Sequence, residues 1–153
     1  MKVIQPSQIL ENKNHSSVIA YLQFLQDNIT RMATNSSNTK AFIAVIFTIL
    51  ATILTTTEMV SKYWWLGILF SLLGIILDSY YLAFERMYRK KYNVFCKDIN
   101  SSNLNVEEIY NMNPKNTNLK FEHIAEMLDA LSSFSVWGFY TLFIIIGVLL
   151  KFM

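Results

Sequence analysis

The sequence predicts an all-α integral membrane protein with three transmembrane helices and amphipathic cytoplasmic helices. Three observations carry that prediction. Hydrophobic residues make up 53% of 153 positions, with a mean hydropathy of +0.31, and they gather into long segments. Two amphipathic stretches at helical spacing, starting near Ser16 and Leu119, stand outside those segments. The charges are sorted: the run ERMYRKKY closes the second apolar segment, while the turn before that segment holds one cation, Lys62.

Residues 1–15 are polar, include Pro6 and keep no period, so they read as a mobile arm. They lack a basic start followed by an apolar core, and no cleavable signal peptide is expected. From Ser16 the pattern changes. Val18, Leu22, Leu25, Ile29 and Met32 recur at alternating steps of four and three, forming a seam. That seam serves either packing on the protein's own cytoplasmic part or association with a partner or a second copy. The polar residues 33–40 read as a link, completing a cytoplasmic unit over 16–40.

The first span is placed at 41–57, which as a helix reaches roughly 25 Å, just enough to cross. Ala44, Thr48, Ala51 and Thr55 share one stripe of it. After a tight turn the second span occupies 64–84 and continues to about 98 in the cytoplasm. It carries Gly67, Ser71, Gly74 and Asp78 on one stripe. Small residues at such spacing let helices approach closely, so the two stripes are expected to face each other. Asp78 then lies against protein or a pore rather than lipid. An acid roughly 9 Å inside the cytoplasmic end of a span is a functional candidate. It either pairs structurally with Thr48, a tyrosine hydroxyl or a nearby cation, or lines a polar path.

Residues 99–131 form a cytoplasmic insert. A short helix is expected over VEEIYNM, started by Asn105 and Glu108 and ended at Asn113-Pro114. An amphipathic helix follows, with Phe121, Ile124, Leu128 and Leu131 on one face. The third span is placed at 134–150. With the amino terminus inside, eleven of the Lys and Arg residues lie on the cytoplasmic side and only Lys62 and Lys151 outside. That asymmetry predicts an N-in, C-out topology.

The chemistry-bearing residues are few. No phosphate-loop, dinucleotide, serine-hydrolase or HExxH pattern appears, and all four glycines fall in the spans, so an enzyme is not expected. Cys96 is alone, which rules out an intramolecular disulfide, and a reduced thiol is expected in the cytoplasm. His15 and His123 lack neighbouring ligands, so neither a metal nor another cofactor is expected. Arg86, Arg89, Lys90 and Lys91 serve either as a topology signal attracting anionic lipid or as a contact for an anionic ligand such as a nucleotide. Acids follow at Asp98, Glu107 and Glu108, which argues against nucleic acid.

Three stretches together resemble a group of small bacterial inner-membrane proteins. LQFLQDNITRMATNSSNTKAF is similar to their entry helix, LDSYYLAFERMYRKKY to the end of their second span, and SFSVWGFY to the start of their last. The likeness covers about 22–95 and 132–140, with Arg31, Met32, Asn35, Ser36, Asp78, Tyr80, Tyr81, Glu85 and Arg86 at family-like positions. Gly138 stands where that pattern has proline, so the entry geometry of the last span is not carried over. Such proteins often sit beside defence genes, including those with nucleotide-signalling partners. The resemblance supplies no biochemical activity, but it implies antiphage defence as the setting. Three spans with two small-residue stripes, an intramembrane acid and no catalytic motif lead to a homo-oligomeric inner-membrane effector, a pore or ion channel answering a cytoplasmic signalling protein or nucleotide. A non-conducting scaffold that recruits a soluble partner is the alternative.

Overall fold

The computed structural model describes residues 16–57, 59–101 and 120–152, and within them the chain is all helix and turn. Five helices follow in order: α1 (Ser16–Thr56), α2 (Val60–Tyr63), α3 (Trp65–Ser101), α4 (Lys120–Leu131) and α5 (Phe134–Leu150). Residues 1–15, including His15, and the short helix expected over VEEIYNM lie outside the described residues.

The polar segment 33–40 is not a link. It continues α1 without a break, giving one helix of 41 residues. Nothing in it forces an end, since α1 contains neither glycine nor proline. Its polar side chains also find partners along the helix itself. Thr39 Oγ1 donates to the Asn35 carbonyl at 2.8 Å, and Asn28 Nδ2 to the Phe24 carbonyl at 2.8 Å. Such bonds let polar residues stay inside a helix.

A compact turn reverses the chain. The amide of Met59 donates to Leu54 O at 3.2 Å, α2 adds a single helical turn, and Trp64 N closes onto Val60 O at 3.0 Å. α3 then returns alongside α1 for 37 residues. The hairpin has two halves with different cores. In the arm formed by the amino-terminal half of α1 and the carboxy-terminal half of α3, Val18, Tyr21 and Leu25 pack on Tyr88 and Phe95. Leu22, Ile29 and Met32 flank that cluster from α1, and Phe84, Tyr92 and Ile99 from α3. The Tyr21 and Phe95 rings meet edge-on with centroids 4.8 Å apart. The chain's own α3 thus covers the expected seam of Val18, Leu22, Leu25, Ile29 and Met32, which matches the reading as packing within the protein and not the alternative of a surface open to a second copy or partner.

In the other half, α5 packs antiparallel to α3. Its far end brings Lys151 over the Trp64 ring at 5.1 Å, and its start brings Ser135 beside Lys40. Ile43, Val136 and Tyr140 form the core there, with Phe47, Phe139 and Phe143 stacked edge-on or tilted beside it. The outer faces remain apolar and exposed: Phe42, Val45, Ile49 and Ile53 on α1, Leu69, Leu72, Leu73 and Ile76 on α3, Trp137, Leu142 and Ile145 on α5. α1 and α3 are each long and apolar enough to cross a membrane. The α4–α5 pair, bent by 58°, supplies a third crossing if it counts as one broken span.

Candidate functional site

The four-residue stripe of α3 points inward. Gly67, Ser71, Gly74 and Asp78 are all buried. What they face differs from expectation, because the small residues of α1 do not meet them. Thr48 and Thr55 are exposed, each bonding the carbonyl one turn back, to Ala44 at 2.8 Å and Ala51 at 2.9 Å. Large side chains fill the glycine grooves instead. A Cβ on Gly67 would lie 2.8 Å from Phe47 Cε2, and one on Gly74 would lie 2.6 Å from Tyr140 Cε1 and 2.9 Å from Ile43 Cγ1. Ring against glycine buries far more apolar surface than threonine against glycine, and the threonine hydroxyls are already satisfied by their own helix. Thr48 and Thr55 are therefore not the hairpin-packing residues, and Thr48 is not the partner of Asp78.

Asp78 has no exposed surface. The Ser36 hydroxyl donates to its Oδ1. The Lys40 ammonium stands 2.9 Å from Oδ2. That contact is an ion pair without hydrogen-bond alignment, so Oδ2 receives no directed donor among the described residues. Ser36 and Lys40 are one turn apart on α1, which puts both on the same face of the helix. Lys40 Nζ also lies 3.3 Å from Ser36 Oγ and 3.3 Å from Ser135 Oγ. One ammonium group thereby touches side chains of α1, α3 and α5. The Lys40 side chain keeps 21% exposure. The carboxylate and ammonium cancel in charge, which offsets the cost of taking either out of water.

One turn deeper, the Tyr140 ring rests on Gly74, and its buried hydroxyl has no partner among the described residues. The ion-paired carboxylate of Asp78 and the Tyr140 hydroxyl, which has no hydrogen-bond partner among the described residues, thus lie in the same packed interior. The arrangement can hold three helices at one level and can respond to a change in charge there.

The basic run is tied up by acids. Arg86 Nη1 contacts Asp129 Oδ2 at 2.5 Å, Lys90 pairs with Glu126, and Arg89 reaches Glu85 on its own helix at 2.7 Å. Carboxylates pair with three of the four cations of the run Arg86, Arg89, Lys90 and Lys91, and those three side chains stay 30–65% exposed. The pairs of Arg86 and Lys90 dock α4 onto α3. Cys96 is half-buried beside Tyr92, and the negative thiolate raises the tyrosine's pKa above its ordinary value, with burial adding to it. Among the described residues, no three or more His, Cys, Asp or Glu side chains come together as a metal site. The side chain of His123 lies outside the described residues.

Ser135 and Tyr140 escape the sequence reading, Lys40 is the nearby cation it left without a number, and Ser36 enters it only as a family-like position. The signal for Ser36 and Lys40 is their four-residue spacing, which has meaning only once residues 33–40 are helical. Tyr140 carries no such signal, since aromatic residues are abundant in α5. No family model, curated protein or solved structure matches this chain.

Proposed function

We propose that the chain is a three-span inner-membrane protein with its amino terminus in the cytoplasm and its carboxy terminus outside. It works as a homo-oligomer, as a membrane effector that opens a pore in the bilayer or perturbs it, and it has no catalytic step of its own. A cytoplasmic signal, whether a signalling protein or a nucleotide, acts on the arm, and bacterial antiphage defence is the setting. The observation that carries this reading is the Ser36–Lys40–Asp78 cluster at the level where the arm joins the apolar half. α1 and α3 run unbroken through that level, so a shift of the arm moves the helices that the cluster holds. Proteoliposomes loaded with a self-quenched dye, and cells carrying a potential-sensitive dye during induced expression, test it. Leakage or loss of potential that depends on the protein is expected. Tight vesicles and fully polarised cells under each candidate partner would refute it.

A second reading is favoured by one specific feature. Asp78 is neutralised inside its own subunit rather than set along a path, which suits a non-conducting anchor that presents its arm to a soluble partner. Asp78→Asn separates the two: it changes leakage for an effector and leaves partner recruitment unchanged for an anchor whose fold survives.

A further inference from the structure

We infer that α4 is a membrane-interface helix, with its Ile124 and Leu128 stripe seated in the headgroup layer beside the charge cluster; this rests on reading α1, α3 and α5 as spans. One side of α4 is committed to α3, through Glu126 to Lys90, Asp129 to Arg86, and a fully buried Ala130. The adjoining stripe is not covered. Ile124 is 57% exposed and Leu128 60%, and Phe134, just past the break, is 88% exposed. Large apolar side chains left in water forgo the free energy of burial, so a stripe of them calls for a covering phase.

Geometry supplies the occupant. The stripe runs directly into the exposed apolar face of α5, which continues with Trp137. α4 leaves α5 at 58°. With α5 along the membrane normal, the axis therefore climbs only about 6 Å from 131 back to 124, at about 1.5 Å per residue. The level of α4 follows from its ion pairs: Arg86 and Lys90, which hold Asp129 and Glu126, lie about 3 Å and about 9 Å along α3 past residue 84, the expected end of the second span. A headgroup layer is about 5–7 Å deep on each side of the hydrocarbon, so Leu128, next to Asp129, falls inside it and Ile124 reaches its outer edge. Residues 124–131 and α5 taken together are long and apolar enough to form one broken span. A second copy of the chain fits poorly. Three side chains fall well short of the about 800 Å² per partner that a stable protein interface buries.

The test uses the whole chain with Cys96→Ser, reconstituted in phosphatidylcholine/phosphatidylglycerol vesicles, with one nitroxide at a time on Ile124→Cys, Leu128→Cys, Leu142→Cys or Asn93→Cys. Leu142 and Asn93 are both exposed, one on α5 and one on the arm, and they serve as lipid and water references. Collision with a water-soluble nickel chelate should be several-fold lower at 124 and 128 than at 93, and collision with oxygen should rise toward the value at 142. Nickel access at 124 and 128 equal to that at 93, with 142 shielded, overturns the interface helix and leaves the spans standing. Spin–spin broadening at 124 or 128 that vanishes on dilution with unlabelled protein assigns the stripe to a second copy and also overturns it. Nickel access at 142 removes the span reading, and the inference falls with it.

Discussion

Lys40 and Asp78 are separated by 38 positions and meet at 2.9 Å, and each answers differently to the loss of the other. Removing Lys40 leaves a fully buried carboxylate with only the Ser36 hydroxyl. Removing Asp78 leaves an ammonium whose partly exposed side chain can turn toward the surface. Breaking a buried pair from one side costs about 3–5 kcal/mol, whereas replacing both members with apolar residues of similar size is near neutral. Lys40→Met should therefore lose about 3–5 kcal/mol. Asp78→Leu should lose less, and the double variant should recover most of the loss. Thermal unfolding of the three variants in detergent checks this. Equal losses in the single and double variants would mean that the two groups do not act as a pair. Asp78 is recognisable in the sequence as an acid misplaced among apolar residues. Its partners are not, because nothing local links position 36 or 40 to position 78.

Helix against helix, the glycines of α3 act as sockets. Gly74 receives Tyr140 and Ile43, so Gly74→Ala must push aside a ring that is itself fully buried. Overpacking of this kind costs about 1–3 kcal/mol. Gly138 is a contrast within the same fold: a Cβ there would meet only the exposed Phe134 ring at 3.4 Å. Gly138→Ala should stabilise by about 0.5–1 kcal/mol, the usual gain from replacing a mid-helix glycine. Unfolding midpoints of the two variants in one detergent should move in opposite directions, and a common direction would place the sockets elsewhere. The stripe of Gly67, Ser71, Gly74 and Asp78 is visible in the sequence as a period. The identity of the knobs is not, since small residues on α1 offer an equally regular stripe, of which Thr48 and Thr55 end up exposed and Ala44 and Ala51 half-buried.

Across the whole molecule, two long helices each serve an apolar half and an arm, and α4 folds back onto the arm through exposed ion pairs. Such pairs contribute only about 0.2–1 kcal/mol each, so they orient α4 more than they stabilise the fold. The bias of Lys and Arg toward the arm side supports the proposed orientation, with the arm in the cytoplasm. With Cys96→Ser as background, Thr57→Cys in the turn should react with a membrane-impermeant maleimide added to intact cells. Asn93→Cys on the arm should react only after permeabilisation. The opposite pattern would invert the topology.

Composition and periodicity alone determined the all-helical class and the apolar stretches, the inward stripe of α3 and the amphipathic character of α4. These are local properties, because a side chain's preference for water or oil and a helix's repeat need no knowledge of the rest of the chain. Tertiary structure decided that residues 33–40 stay helical, that α3 itself covers the α1 seam, and that acids take up the basic run. It also decided that Ser36 and Lys40, not Thr48, attend Asp78. Each of those outcomes depends on the rotation and level at which one helix meets another. Two stripes equally fit for contact are told apart only when a ring of one finds the glycine of the other.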